Sequence, residues 1–230
     1  MLVLQPVEPA VESLDHEVKF RLPAWAAAPA RALLAGLCRS EAPHARSRVG
    51  TIYFDDRALS SAAEKTSSDY RKTKLRVRWY DGRGAAFLEV KSRIGSRREK
   101  RRLPLAIDGA ELEAGGLAAA ARASWRAALT SSGIDLPADF SPVLRLVYDR
   151  ERFVDPAGGA RLSLDTGVAP VEIAPWADTG SLAGVKLDVA IVECKGVGRE
   201  LPPALAALDA LGARRGSFSK YAACLLHGWA

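Results

Sequence analysis

Charged side chains recur at every second position in six segments of this 230-residue chain, with apolar residues between them. Side chains two apart on a β-strand point to the same face. On that spacing Glu17 and Lys19 share a face, with Asp15 in phase and Val18 and Phe20 opposite. Lys74, Arg76 and Arg78 share another, against Leu75, Val77 and Trp79. Glu89 with Lys91, Arg150 with Arg152, Arg161 with Asp165, and Glu193 with Lys195 repeat the pattern. A sheet with its polar side in water accounts for any one of these strands. The set is lopsided, however. With Lys220 from the C-terminal segment and Asp15 left aside, ten cations stand against four carboxylates, a surplus equal to the net charge of +6 on the whole chain.

Strands of this kind can close into a barrel with a charged interior and an apolar outside covered by helices. Like charges repel strongly in a dry interior, so such a bore must be wet or hold a polyanion. Arg binds phosphate oxygens through paired donors and Lys as a point charge. Carboxylates among them, here Glu17, Glu89, Asp165 and Glu193, are candidates to hold a hard divalent cation that bridges phosphates. The chemistry expected is a linear run of phosphates threaded among basic residues. Phosphoryl transfer rests on positioning and charge neutralisation more than on a nucleophile. His16 and His44 lack a partner motif and His227 falls in a terminal helix, so all three are expected to be structural.

The elements that must position these residues follow from periodicity and turn chemistry. Strands are expected at 16–22, 49–55, 73–80, 85–92, 99–107, 143–154, 161–166, 171–176 and 186–195, with turns at Asp81–Gly84 and around Pro156–Gly159. Helical composition covers 24–38, a short stretch after Asp55, 111–133 with a break at Gly115–Gly116, 201–215 and the C-terminus. The Ala-rich part of 117–128 suits a cover over the barrel's outside. No linker divides the chain. The expectation is a single α+β domain over 1–230, core about 14–226, built as an antiparallel eight-stranded β-barrel tunnel with helices packed outside.

Composition narrows the class. With 48% hydrophobic and 26% charged residues, the chain can bury a core and is neither disordered nor collagen-like. Cys38, Cys194 and Cys224 are too scattered for a disulfide framework or zinc site and fit a reducing cytosol. No apolar run nears the ~20 residues of a membrane helix, and the N-terminus lacks a secretory pattern, so a cytoplasmic protein is expected. The basic run Arg93–Arg102 has no interleaved aromatics for base stacking and reads as a solvated hairpin, not a nucleic-acid patch. Nothing in the sequence signals an oligomeric state.

The segments HEVKF, YFD, KLRVRWY, FLEVKSR, YDRERF, RLSLDT, VECKG and SFSKY, in that order, resemble the VTC domain. This is the polyphosphate polymerase domain of the triphosphate tunnel metalloenzyme, or CYTH-like, superfamily. The resemblance is to the stand-alone bacterial form, since neither an SPX sensor nor membrane helices are evident. It implies an eight-stranded tunnel in which basic residues grip ATP and polyphosphate or triphosphate, with Mn²⁺ or Mg²⁺ as cofactor. The residues implied are Lys19, Arg76, Arg78, Lys91, Arg150 or Arg152, Arg161 and Lys220 for phosphate, and Glu193 for the metal. A further basic residue is implied in the strand where Lys100 and Arg102 share a phase, and Lys74 and Lys195 lie in phase with the set. Ser217 and Ser219 either donate hydrogen bonds to phosphate or cap a helix. Other tunnel enzymes open with an ExExK motif; here those places hold Asp15, Glu17 and Lys19. The implied activity is transfer of the ATP γ-phosphate to polyphosphate. Hydrolysis of a triphosphate in the same tunnel and non-catalytic polyphosphate binding are the alternatives.

Overall fold

A computed structural model describes residues 17–63, 71–94, 97–177, 185–196 and 201–225. Asp15, His16 and His227 lie outside them. Ten strands form one antiparallel sheet: β1 (Val18–Pro23), β2 (Arg39–Ser40), β3 (Arg46–Asp55), β4 (Arg71–Tyr80), β5 (Arg83–Ile94), β6 (Arg97–Asp108), β7 (Ser141–Val154), β8 (Arg161–Ile173), β9 (Val189–Lys195) and β10 (Arg214–Arg215). Their order is β10-β1-β9-β8-β7-β3-β4-β5-β6, with β2 also paired to β7. The expected eight-stranded closed barrel is therefore corrected. Eight strands do follow one another from β1 to β6, but the ladder is extended by β10 and ends at β6, with no backbone pairing across that gap among the described residues. The segment 171–176 also differs from expectation: Val171–Ile173 completes β8 and a turn follows, so it is not a separate strand.

The apolar phases of β1, β4, β5 and β9 face helices, as expected from alternation. Leu75, Val77 and Trp79 of β4 and Leu88 and Val90 of β5 are buried with Leu112 and Leu117 of α3 (Gly109–Arg122) and with Trp125 of α4 (Trp125–Ser131). On the other half of the sheet, Phe20 and Leu22 of β1 and Val192 and Cys194 of β9 are buried with Leu34 of α1 (Ala27–Leu37) and Leu205 of α5 (Pro203–Ala207). Two separate apolar clusters thus hold the two halves of one sheet. No helix among the described residues is long and apolar enough to cross a membrane.

Local chemistry sets the helix over β4 and β5. Asp108 Oδ1 accepts the Ala110 N–H at 2.8 Å, and Glu111 Oε1 accepts the Asp108 N–H at 3.2 Å, a reciprocal cap that starts α3. The break expected at Gly115–Gly116 is a kink at Gly116, whose φ of 52° needs glycine. Glu172 of β8 accepts the Leu117 N–H there at 2.9 Å. Gly50 of β3 is needed for another reason: a Cβ at that position would lie 2.2 Å from the buried Trp79 ring. Overpacking costs about 1–3 kcal/mol, and in a protein of this size each kcal/mol moves Tm by about 2–4 °C. Gly50→Ala is therefore expected to lower Tm by ~3–10 °C in thermal unfolding. An unchanged Tm would mean that the ring retreats freely.

Candidate phosphate-binding bore

The opposite, polar phase carries the charges. Strand register aligns them in rows across the sheet. Arg76 of β4, Glu89 of β5 and Arg102 of β6 sit directly opposite one another. One alternation further, Lys74, Lys91 and Lys100 do the same. On the other half, Arg150 faces Asp165, while Ser163 faces Glu193 and Glu193 faces Lys19. Like charges directly opposite on a sheet repel one another.

The sheet is rolled, and this brings the rows together. Lys91 on β5 is six strand spacings from β1 along the ladder, about 29 Å on a flat sheet at ~4.8 Å per strand. Its ammonium nevertheless interacts with Glu17, Lys19 and Glu193. Burial and the nearby Lys19 and Arg76 outweigh the two carboxylates and push its pKa down. Coulomb interaction fades with distance, so these charges lie nearer one another than a flat sheet would place them.

Shared carboxylates let so many cations coexist. Glu89 Oε2 accepts from Arg76 Nε at 2.7 Å and lies 2.6 Å from Arg76 Nη2 and 3.5 Å from Arg78 Nη1. Its Oε1 is 3.9 Å from Arg102. Burial opposes ionisation of Glu89, but Arg78, Arg76 and Lys100 hold its carboxyl far below the usual range. Asp165, fully buried, accepts from Arg150 Nε and Nη2 at 2.6 and 2.7 Å and lies 2.6 Å from Lys220 Nζ. Against the effect of burial, these two cations hold it at about 2. Lys220 opens α6 (Lys220–Leu225), so the C-terminal helix inserts a cation beside β8.

Glu17 and Glu193 form a third group. Lys19 Nζ is 2.9 Å from Glu17 and 3.7 Å from Glu193, and Lys195 Nζ is 4.0 and 3.3 Å from the same pair. Burial and the neighbouring Glu193 push Glu17 up, but Lys19 and Lys91 outweigh them and its pKa falls. Burial likewise opposes ionisation of Glu193, and Lys19, Arg150, Lys195 and Lys220 leave it well below the ordinary range. Two mutually repelling carboxylates at one place suit a hard cation. No group of three or more acidic, His or Cys ligands exists among the described residues, so phosphate oxygens would have to complete the coordination. Glu89 and Asp165 differ from this pair in being held by guanidinium groups, with Lys220 also on Asp165, whereas Glu17 and Glu193 share only lysine ammonium groups among the described residues.

The remaining expected residues take the following places. Arg152 donates to His44 O at 2.8 Å and Ser47 Oγ at 2.9 Å, toward one end of the bore. His44 thus serves through its backbone. Arg161 and Lys195 face each other across β8 and β9. Ser219 Oγ accepts the Ala222 N–H at 3.3 Å, so it caps α6, and Ser217 is exposed. In the run 93–102, Lys100 and Arg102 turn toward Glu89, while Arg101 binds Glu99 and Ser132 O on the opposite phase.

Tyrosines are what alternation did not reveal. Tyr53 of β3 lies with its hydroxyl 3.5 Å from Arg76 Nη1 and its ring stacked on Tyr221 at 4.8 Å. Burial would raise its pKa, but Arg76, Arg78 and Lys220 pull it down. Tyr221 donates to the buried Asp55 at 2.8 Å, which anchors α6. The Tyr148 ring lies under both Arg150 and Lys220, at 5.4 and 4.8 Å. The only sequence signal was Tyr148 lying two residues before Arg150.

The sequence profile of the VTC domain matches residues 7–227, nearly the whole chain. This protein belongs to the VTC domain family. No curated protein matches it significantly. Among solved structures, it is similar to a candidate adenylate cyclase from Bacillus halodurans, with a TM-score of 0.54 and 13% identity over 90% of this chain and 94% of that one. It is also similar to a conserved hypothetical protein from Pyrococcus furiosus, with a TM-score of 0.41 and 11% identity over 86% and 91% of the two chains. A third is an inorganic triphosphatase, with a TM-score of 0.31 and 16% identity over 85% and 80%. Of these three likenesses only the first is close enough to bear on the fold, and it supports the antiparallel α+β architecture of this VTC domain.

Proposed function

We propose that this VTC domain is a metal-dependent phosphotransferase that moves the γ-phosphoryl group of ATP onto the end of a polyphosphate chain held in the bore. One observation carries the reading: Lys74, Lys91 and Lys100 lie side by side across three strands, and Lys91 meets the charges of Lys19, Glu17 and Glu193 from the far end of the rolled sheet. A linear polyanion would offer each of these cations a phosphate oxygen. Arg76, Arg78 and Arg150 present planar donors to phosphoryl oxygens, and Glu89 and Asp165 orient those donors. Lys220, held on Asp165, brings a point charge to the same stretch. Glu193 with Glu17 would hold Mn²⁺ or Mg²⁺, which supplies neutralisation of charge on the transferring phosphoryl oxygens. Arg152, Arg161 and Lys195, nearer the ends of their strands, would guide the chain rather than touch the transferred group. A cytoplasmic site, where ATP is plentiful, suits this chemistry.

Incubating the purified chain with ATP and Mn²⁺ and resolving products on a gel tests the reading. ADP together with lengthening phosphate chains is expected, and none without a divalent cation. The second reading is triphosphate hydrolysis, favoured by Glu17 and Glu193 lying together where a metal and water could be held. Orthophosphate with a shortened substrate would establish it. Tight tripolyphosphate binding with no turnover in any metal would leave a binding module and overturn both.

A further inference from the structure

On its helix-covered face the sheet carries a charged cavity that the bore does not use. Arg46 and Arg48 of β3 stand opposite Glu151 and Asp149 of β7. Arg150 lies between those two acids and turns to Asp165 in the bore, so alternation sends Asp149 and Glu151 to the other face. Phe153, in phase with Glu151, packs in the apolar cluster under α1, which agrees. Glu151 is buried, and α1 reaches it from one side: Arg31 Nε donates to one of its oxygens, and Arg46 Nε to the other at 3.0 Å. Asp81, in the turn after β4, accepts the Arg48 N–H at 2.8 Å. These six charged residues line a cavity of about 480 Å³, within the size range of small-molecule sites.

The two sides of this cavity ask for different things of a ligand. Arg31 and Arg46 are each fixed on Glu151 through Nε, and their Nη groups have no partner among the described residues. Such groups are paired donors of the kind that grip phosphate oxygens. Asp149 lies 3.7 Å from Arg48 Nη1 through Oδ1, and Asp81 uses Oδ1 on the Arg48 N–H. The Oδ2 atom of each has no partner among the described residues, and an ionised carboxylate only accepts, so the ligand must bring hydrogen-bond donors there. A bare polyanion offers acceptors alone and would be repelled by Asp81 and Asp149. A phosphate ester that also carries hydroxyl groups satisfies both sides. No aromatic or large apolar side chain among the described residues lines the cavity, so neither a nucleobase nor an acyl chain has a surface to rest on. We infer that this cavity binds a phosphorylated polyol, with its phosphate on Arg31 and Arg46 and its hydroxyls on Asp81 and Asp149. The site lies on the opposite face from the bore and does not depend on the phosphotransferase reading.

Calorimetric titration of the full chain with sorbitol phosphate, sorbitol and inorganic phosphate, each in turn, tests the site. The ester is expected to bind, and sorbitol or phosphate alone to bind at least about ten-fold more weakly, since each meets only half of the charged groups. The Arg46 side chain is 76% exposed, so Arg46→Ala should keep the native circular dichroism. It is expected to weaken the ester about ten-fold, the usual loss of a hydrogen bond to a charged group. Asp149→Ala is expected to weaken the ester as well but to strengthen inorganic phosphate, because loss of a carboxylate favours a bare anion. That opposite response separates a polyol phosphate site from a simple anion site. Tripolyphosphate, titrated alongside, should bind both variants as it binds the unaltered chain, because salt screens the change in charge. Absence of ester binding, equal affinity for ester and inorganic phosphate, or an unchanged ester affinity in Arg46→Ala overturns the site and leaves the bore reading as it stands.

Discussion

Arg76→Ala is expected to cut ATP turnover by about 10²–10³-fold, the usual loss when one donor to a transition-state oxygen is removed. Arg76 stands in the middle of the bore, with Nε and Nη2 on Glu89 and Nη1 toward the Tyr53 hydroxyl. Glu89 would keep Arg78 and Arg102 within 3.5 and 3.9 Å, so its charge stays compensated and the sheet should hold. Arg76→Lys should recover only part of the rate, because an ammonium restores charge without the planar pair of donors. Steady-state ADP release, with Tm measured alongside, checks this. A near-native rate in Arg76→Ala would remove Arg76 from the transferring group. A lost rate together with a collapsed Tm would show that its role is to hold β4 to β5.

Asp165→Ala is expected to show the reverse pattern, with stability lost first. The carboxylate is fully buried and holds Arg150 through two hydrogen bonds and Lys220 at 2.6 Å. Removing one partner of a buried ionic group costs about 3–5 kcal/mol, or roughly 10 °C in Tm at ~2–4 °C per kcal/mol. The pH dependence has a definite sign. Asp165 titrates at about 2 in the folded protein against an ordinary 3.8. A depressed folded value gives stability that is present above the unfolded pKa and is lost as pH falls through the folded one. The gap between the native chain and Asp165→Ala should thus be full at pH 7, shrink below pH 4 and be nearly gone by pH 2. Urea denaturation at several pH values measures it. A gap that is small at pH 7 would show that Glu193, which also acts on Arg150, is enough to compensate these cations.

Much of the bore could be read before any coordinates. Period-two alternation is local, so Lys74, Arg76 and Arg78 had to share a face once β4 formed, and so did Glu89 with Lys91. The apolar phase, Leu75, Val77 and Trp79, had to seek a cover, and α3 and α4 supply it. What alternation lacks is any measure of distance across strands. The surroundings of the four carboxylates are one result: Glu89 and Asp165 have the same phase and type as Glu193, yet register sets them opposite Arg76 and Arg150, and Glu193 opposite Lys19. Tyr53 was hidden for a similar reason. It lies in a strand buried on both faces from Val49 to Asp55, where alternation carries no polar signal, and its neighbours Arg76 and Tyr221 come from elsewhere in the chain.

The sequence by itself determined which side chains share a face, that the polar faces are cationic, and that helices must cover the others, because these follow from backbone geometry and burial of apolar surface. Only the tertiary structure decided how far the sheet rolls, where its ladder stops, and which cation each carboxylate holds. Those depend on twist, bulges such as the register shift between Val147 and Asp149, and contacts between residues more than a hundred positions apart. Coulomb energy varies with separation and surroundings, so the same charges become neighbours or strangers only when the sheet has curled.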